Sequence, residues 1–361
     1  MASKVPPAKV ARAVERARGH LSWLRQRSAP PAAVMMELIL NAWVAQAITT
    51  AADLGVADAL ADGPLSGEQL ADRLGADADA LRRLMRALIG IGIFRQRNDG
   101  RYALTTLAAT LRTDAPVSMA GMARWVGSPQ HREHWSHLTD GIRTGHPVVP
   151  ELRGKPVFEY LADEAELGGI FNSAMTNVSE LAIVPLTAAY DFSAFGTIVD
   201  VGGGHGRLLA AILQTAPNSR GVLFDLPEVV AGGPELFRKY GVEDRVKIEE
   251  GSFFDSAPES GDAYVLKNII HDWPDDDAVR ILKNVRVAAR TGARLLLCEF
   301  VIPEHNRDFH GKWVDLEMLV VAGARERTAA EYGRLIDQAG FRLNRVVDTA
   351  SPLSIVEATA V

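Results

Sequence analysis

Apolar residues recur with two different periods along this chain of 361 residues. In the first half they return every three or four positions, which is typical of amphipathic helices. Beyond residue 190 they form short runs with helical stretches between them. The runs are TIVDV (197–201), GVLFD (221–225), VKIEE (246–250), AYVLK (263–267), RLLLCEF (294–300), FRLNRVVDT (341–349) and SPLSIVEATA (351–360).

This alternation of strand and helix predicts an α/β fold with a doubly wound, mostly parallel sheet, because parallel strands need crossover helices that cover both faces. We expect a helix after each of the first five runs. The last two runs leave no room for a helix between them, so the final strand should be antiparallel. A short turn near Ser351 and Pro352 would join the two.

The first 33 residues predict a basic N-terminal arm. Apolar positions at roughly helical spacing indicate a frayed helix that packs on a partner subunit, although a membrane or a nucleic acid remains an alternative. The SAPPAA segment (28–33) should end this helix. Only Glu15 opposes its cations, which are Lys4, Lys9, Arg12, Arg16, Arg18, Arg25 and Arg27.

Residues 34–112 predict a helical, winged-helix-like dimerisation domain. Ser66 and Gln69 form a capping box at the start of one helix, and Gly75 ends it. A second helix follows, and then Asn98-Asp99-Gly100 predicts a hairpin. The rival interpretation is a DNA-binding regulator, since the second helix carries Arg82, Arg83 and Arg86.

Two further segments complete the predicted organisation. Residues 113–190 should form a helical linker and substrate-pocket region, and residues 191–361 the catalytic domain. Hydrophobic residues make up 47% of the chain and its net charge is −6, so we expect no nucleic-acid partner. The single cysteine, Cys298, predicts a buried strand thiol. Because no stretch of about 18 apolar residues stands out and no signal-peptide pattern opens the chain, we expect a cytoplasmic protein without membrane spans.

The strongest motif is the glycine-rich turn after the first strand of the sheet. Asp200, Gly202, Gly204 and Gly206 give the spacing D-x-G-x-G-x-G. The nicotinamide fingerprint would need a small residue at Arg207. The turn therefore predicts a cofactor without a pyrophosphate, held against the backbone at a helix N-terminus.

Asp225 ends the second strand of the sheet, where an acid can accept hydrogen bonds from both ribose hydroxyls. The alternative is that Asp225 caps the helix that follows it. Gly202, Ser252 and Lys267 also fall at the carboxyl ends of strands, the edge at which open α/β sheets bind ligands.

A set of motifs resembles one family over about residues 34–361. The chain is similar to the small-molecule O-methyltransferases of plant phenylpropanoid and bacterial polyketide pathways. That resemblance implies a Rossmann-like catalytic domain and an N-terminal dimerisation domain. It also implies metal-free methyl transfer from S-adenosylmethionine to an aromatic hydroxyl, and a homodimer. The motifs are DVGGGHG, FDLPEVV, GSFFD, AYVLKNIIHDWPDDDAVRILKNV, EFVIPE, DLEML, ARERTAAEYGRLIDQAGF, FEYLADE and FNSAMTNVS.

The resemblance also assigns cofactor residues. Ser252 departs from the family pattern, which has an acid there to accept from the adenine amino group, so the adenine contact should lack that charge. The residues implied to bind the cofactor are Ser179, Gly202, Gly204, Asp225, Leu226, Ser252, Phe253, Lys267 and Trp273.

The catalytic residues follow from the same motifs. His271 is implied to be the general base that removes the acceptor proton, with Glu326 fixing its ring and Glu299 on the other side. Both glutamates could instead be ordinary helix and strand-end charges. The candidate acceptor residues, which could equally be core, are Trp125, Phe171, Met175, Asp272 and Met318.

Two features raise the question of a metal. Asp275-Asp276-Asp277 precede a helix, so they are expected to favour its dipole and cap its N-terminus. His131, His134 and His137 are expected to face solvent or a pocket, because no cysteine or acid cluster accompanies them. We therefore expect no metal. A further alternative is a relative that uses the cofactor for hydroxylation or decarboxylation, which the presence of His271 disfavours.

Overall fold

The first half of the chain folds into helices and one small hairpin, as its periodicity predicts. The computed structural model describes residues 5–306 and 308–361, so Lys4 of the basic arm lies outside the described residues. The elements are α1 (Ala8–Arg27), α2 (Pro31–Asp53), α3 (Val56–Ala59), α4 (Gly67–Leu74), α5 (Ala78–Gly90), β1 (Phe94–Gln96) and β2 (Tyr102–Leu104).

Local sequence signals set the boundaries of α4. The Ser66 hydroxyl accepts from the Gln69 N–H, and the Gln69 side chain accepts from the Ser66 N–H, so the predicted capping box is present. Gly75 ends the helix with a φ of +62°, which favours glycine. On α5, Leu81 and Met85 are buried. The winged-helix-like arrangement is confirmed.

Residues 113–190 are mainly helical, as predicted. His131 and His134 on α7 are buried, at 4% and 1% exposed, so neither faces solvent. Their environment explains this, because the His131 ring packs edge-on against Trp125 and His134 accepts from Arg153. The helices are α6 (Ala120–Gly127), α7 (Pro129–Ser136), α8 (Leu138–Thr144), α9 (Val148–Arg153), α10 (Val157–Asp163) and α11 (Ala165–Ala189).

The predicted runs form one mixed sheet in the order β5-β4-β3-β6-β7-β10-β9, and β8 pairs with β7. The last strand lies between β7 and β9 and is antiparallel to both, which confirms the predicted reversal. The strands are β3 (Thr197–Val201), β4 (Arg220–Asp225), β5 (Val246–Glu250), β6 (Ala263–Lys267), β7 (Arg294–Ile302), β8 (Arg327–Thr328), β9 (Phe341–Asp348) and β10 (Leu353–Ala360).

Helices cover both faces of this sheet, although one predicted helix is missing. Residues 251–262 between β5 and β6 contain turns only, because Gly251, Pro258 and Gly261 interrupt this short segment. Alternate residues of β7 reach opposite cores, and Cys298 is fully buried as expected. The helices are α12 (Arg207–Thr215), α13 (Pro227–Val230), α14 (Gly233–Tyr240), α15 (Asp275–Ala288), α16 (Gly311–Val321) and α17 (Ala329–Gln338).

The chain divides into two compact units. One contains the described part of the first 20 residues, Thr139–Leu152 and Ala182–Val361, and it includes the sheet. The other contains Leu21–Leu138 and Arg153–Leu181. The chain passes from one unit to the other four times, within α1, α8, α9 and α11. The predicted domain limits at residues 33, 112 and 190 stay predictions.

Helix α2 corrects the expectation that no segment could span a membrane. The helix has 23 residues, and an 18-residue window of it has a mean hydropathy of 1.4, which is sufficient for a span by length and composition alone. Scattered polar residues hid this property in the sequence. One such helix is weak evidence for a membrane, and a helix that packs on a partner has the same composition. Its exposed apolar side chains are Met35, Met36, Leu38, Ile39 and Trp43.

A pair of substitutions on α15 tests the packing of this helix against the sheet. Leu282→Ala removes a fully buried side chain and should lower the free energy of unfolding by about 2–5 kcal/mol, measured by urea denaturation. Val287→Ala on the same helix alters a side chain that is 88% exposed and should change it by less than about 0.5 kcal/mol. Equal effects of the two substitutions would contradict the placement of α15 against the sheet.

Candidate active site

The carboxyl ends of four parallel strands bring the candidate cofactor residues to one edge of the sheet. Strands β3, β4, β5 and β6 are paired in parallel, so the segments that follow them meet at this edge. Gly202 follows β3, Asp225 ends β4, and Ser252 follows β5. Lys267 ends β6, and His271 lies on the loop beyond it.

The glycine turn owes its composition mainly to the protein's own packing. Gly202, Gly204 and Gly206 have φ values of +67°, +62° and +82°, which side-chain-bearing residues rarely adopt. A Cβ on Gly206 would lie 2.3 Å from the Phe237 ring, and one on Gly202 would lie 2.5 Å from Ile269. A Cβ on Gly204 would meet nothing within 4 Å. Gly204 is thus the glycine of this turn that borders open space.

Asp225 closes the turn from the neighbouring strand. Its Oδ2 accepts from the Gly204 N–H at 2.9 Å, and its Oδ1 accepts from the Leu226 N–H at 2.8 Å. Burial raises the pKa of Asp225, while these two backbone hydrogen bonds oppose the rise. Each carboxylate oxygen keeps a lone pair for a further donor. Asp225 therefore shapes the turn and can still accept from a ligand.

A buried acid, Asp200, and a partly buried base, Lys267, lie next to the turn. Asp200 is 1% exposed, and burial raises its pKa to about 7 against the opposing effect of Lys267. Burial also lowers the pKa of Lys267, while the nearby Asp200 opposes the change. Among the described residues, the Oδ2 atom of Asp200 has no hydrogen-bond partner. Sequence reasoning treated Asp200 only as part of the glycine motif and did not predict this pair.

An aromatic group borders the segment after β5. Phe253 lies 5.1 Å from Phe254 and 6.1 Å from Trp273 between ring centroids, and Asn284 donates to the Phe253 carbonyl. The Ser252 hydroxyl accepts from the Phe254 N–H at 3.2 Å. Ser252 thus helps to order its own turn, and its hydroxyl proton is available to another acceptor.

His271 is buried between carboxylates. Its Nδ1 lies 2.7 Å from Glu326 Oε1, and its Nε2 lies 3.4 Å from Asp272 Oδ1. Burial lowers the pKa of His271, but Asp272, Glu326 and Glu299 together outweigh it and raise the pKa to about 10. Both ring nitrogens therefore face acceptors, which suits a protonated imidazolium.

Glu299 holds the backbone of the loop rather than the histidine ring. Its Oε1 accepts from the N–H groups of Ile269 at 3.1 Å and Ile270 at 2.9 Å. Burial raises the pKa of Glu299 to about 7. Facing atoms of His271, Glu299 and Glu326 all lie within 4.8 Å of one another, so the three side chains form one charged cluster. The expectation that no metal takes part stays a prediction.

Arg327 is a buried residue at this site that sequence reasoning missed. It is 1% exposed, and its guanidinium donates to the Ile270 and Trp273 carbonyls at 2.9 and 2.8 Å. It also donates to Asp275 Oδ1, so this acid pairs with Arg327 instead of only favouring the helix dipole. No sequence signal marks it, because an arginine before the Thr328 capping box resembles an ordinary surface charge.

The candidate acceptor residues fall in both compact units. Trp125, Phe171, Met175 and Ser179 belong to the helical unit, where the Trp125 and Phe171 rings pack edge-on at 5.1 Å. Met318 lies on α16, buried in the unit that carries the sheet. A shared pocket of these residues with His271, and the approach of Ser179 to the cofactor, stay predictions.

Comparison with known proteins identifies the family. Residues 135–342 match the O-methyltransferase domain, and residues 36–114 match the O-methyltransferase dimerisation domain. The chain is 40% identical to the phenazine O-methyltransferase PhzM of Lysobacter antibioticus over 334 residues, which covers 92% of this chain and 98% of that protein.

Solved structures agree with this assignment. The crystal structure of LaPhzM superposes with a TM-score of 0.87 at 40% identity, covering 92% of this chain and all of that one. The neocarzinostatin O-methyltransferase NcsB1, in complex with S-adenosylmethionine and 2-hydroxy-5-methyl naphthoic acid, gives a TM-score of 0.73 at 34% identity, covering 88% and 96% of the two chains. The chain therefore belongs to the O-methyltransferase family and is an S-adenosylmethionine-dependent O-methyltransferase.

Proposed function

We propose that this enzyme methylates a hydroxyl of an aromatic small molecule by direct, metal-independent SN2 transfer, with His271 as the general base. The observation that carries the proposal is the buried His271–Glu326 pair on the loop next to the glycine turn. Ile269 of this loop packs against Gly202, so the base and the turn lie at the same edge of the sheet.

The residues at this edge fit S-adenosylmethionine, which when bound supplies a methyl group on a cationic sulfur. Gly204 borders open space, and the oxygens of Asp225 keep lone pairs that ribose hydroxyls could use. The chain offers no phosphate-binding arginine in the turn except Arg207, whose guanidinium lies over the Tyr240 ring. We assign cofactor binding to Ser179, Gly202, Gly204, Asp225, Leu226, Ser252, Phe253, Lys267 and Trp273.

His271 must be neutral to act as a base. A phenol, with a pKa of about 10, is mostly protonated at neutral pH, so proton removal assists its attack. In the described structure Nε2 of His271 faces Asp272. The proton that Nε2 carries in the imidazolium has to leave before Nε2 can accept one from the substrate. Glu326 then keeps Nδ1 protonated and fixes the ring, so that Nε2 carries the free lone pair.

Substitution of the base tests this role. His271→Ala should lower kcat by about 100-fold or more, because no other group replaces the imidazole as proton acceptor. Affinity for S-adenosylmethionine, measured by calorimetry, should stay nearly unchanged. Turnover equal to that of the natural enzyme would remove His271 from the mechanism.

The pH dependence of the reaction tests the environment of His271. Since the raised pKa keeps the ring protonated, kcat/KM should increase with pH as the neutral imidazole forms. Asp272→Asn removes a carboxylate that stabilises the imidazolium, so the pKa of His271 falls and the rising limb moves to lower pH.

Asp276→Asn is the matched control, because this exposed acid lies in the first turn of α15. Its pH profile should coincide with that of the natural enzyme when the same acceptor is used. A limb that stays in place in Asp272→Asn, or moves to higher pH, would contradict the assignment.

We further propose that the acceptor is an aromatic ring system bound by Trp125, Phe171, Met175, Asp272 and Met318. The edge-on packing of Trp125 and Phe171 supports an aromatic environment. The naphthoic acid complex of NcsB1 supports an aromatic acceptor by similarity. The identity of the acceptor and a cytoplasmic location of the enzyme stay predictions.

The exposed apolar face of α2 supports a homodimer, because the family dimerisation domain includes this helix from residue 36 onward. In a monomer these side chains would contact water. The competing DNA-binding interpretation has less support, because Arg82 pairs with Asp79 and Arg101 pairs with Asp99. Hydroxylation or decarboxylation chemistry is disfavoured by the paired His271.

Light scattering tests the dimer. The natural protein should elute with the mass of two chains, and Ile39→Glu should shift it to the mass of one, since a charge would be buried in the interface. Val287→Glu, on the exposed side of α15, should stay dimeric. A natural protein with the mass of one chain would contradict dimerisation through this face.

A further inference from the structure

Arg327 is buried next to the proposed base, although it belongs to a different element. It lies on the two-residue strand β8, directly after Glu326. Its Nη1 donates to the Ile270 carbonyl at 2.9 Å and its Nη2 to the Trp273 carbonyl at 2.8 Å. Nε and Nη2 both donate to Asp275 Oδ1, at 3.0 and 2.7 Å.

The two carbonyls that Arg327 binds belong to residues on either side of His271 in the sequence. Ile270 precedes His271 and Trp273 follows Asp272, so the two carbonyls lie on either side of the His271-Asp272 pair. The guanidinium is a rigid planar fork, and binding both carbonyls fixes their separation. Arg327 therefore restrains the backbone from which the imidazole projects.

The backbone N–H groups of this loop are hydrogen-bonded as well as its carbonyls. Glu299 accepts from the N–H groups of Ile269 and Ile270, whereas Arg327 donates to the carbonyls of Ile270 and Trp273. β7, which carries Glu299, pairs with β8, which carries Arg327. Two paired strands thus supply one anion for the loop donors and one cation for the loop acceptors.

Stability alone does not account for an arginine at this position. Burying a guanidinium costs free energy unless its donors are satisfied, and its acidic partner Asp275 has a side chain that is 57% exposed. Two of its five side-chain hydrogen bonds go to carbonyls of the loop that carries His271, two go to Asp275 at the start of α15, and one goes to the Arg325 carbonyl. The free energy of burying the Arg327 guanidinium therefore depends on the conformation of this loop.

We propose that Arg327 is the positioning residue that sets the orientation of His271, by fixing the loop backbone while the adjacent Glu326 fixes the ring. This inference rests on the proposed role of His271 as the base. Arg327 touches neither reacting atoms nor cofactor in this assignment, and it acts through the histidine.

Arg327→Lys tests the proposal, because lysine keeps the charge and loses the planar fork. We expect kcat to fall about 10- to 100-fold, while KM for S-adenosylmethionine stays within about threefold. The rising limb of the pH profile should also move, because the distances from His271 to its carboxylates change. Asp275→Asn should lower kcat in the same direction by a smaller factor.

Arg334→Lys is the matched control on α17, where Arg334 forms an exposed pair with Glu331. It should leave kcat and the pH profile unchanged. If Arg327→Lys fails to fold, by circular dichroism, Asp275→Asn decides the question, since this acid is on the surface. Folded variants with natural kcat and an unmoved limb would overturn the positioning role.

The double variant Arg327→Lys with His271→Ala separates this inference from the proposed function. If Arg327 acts through His271, the double variant should be no slower than His271→Ala alone. Losses that multiply would overturn the positioning role and leave His271 as the base. Natural turnover in His271→Ala would overturn the base itself.

Discussion

Burial of charge at the carboxyl edge of the sheet is the constraint on which the rest of the site depends. His271, Glu299 and Glu326 are at most 6% exposed, so each charge needs a nearby partner or must change its protonation state. Pairing at 2.7 Å satisfies Nδ1 of His271 and one oxygen of Glu326, and backbone N–H groups satisfy one oxygen of Glu299. The pKa of Glu299 rises to about 7 because burial disfavours its charged form, and the nearby Glu326 adds to the rise while His271 opposes it.

Much of the fold could be predicted because its signals are local. Short apolar runs set the strands, and Ser66 with Gly75 sets the ends of α4. The glycine turn was also predicted from its spacing, but the physical reason for each glycine was predicted only in part. Gly206 is needed because Phe237 packs against it, whereas Gly204 is the one that borders open space. The sequence marks the turn without separating these two causes.

The features that escaped prediction depend on contacts between distant segments. Arg327 is buried because the loop before α15 offers its carbonyls, and 52 positions separate it from Asp275. Glu299 was expected on the other side of His271, but the hydrogen bonds of its carboxylate to the loop backbone were not predicted. His131 was expected to face solvent or a pocket, and the sequence did not decide between them, since burial of a polar ring depends on neighbours such as Trp125. Periodicity along one element cannot show these contacts.

The sum of charges links these contacts to the chemistry we propose. The cations of this edge are Lys267, His271 and Arg327, and they are outnumbered by its carboxyl groups. Lys267 and His271 interact with those of Asp200, Asp272, Glu299 and Glu326. Burial raises the pKa of each of these carboxyl groups, and the surplus of neighbouring acids adds to the rise at Asp200, Glu299 and Glu326. A cationic ligand at this edge would relieve the same surplus, and it would favour release of the His271 proton. An acid-rich site therefore suits a sulfonium cofactor and an imidazole base together.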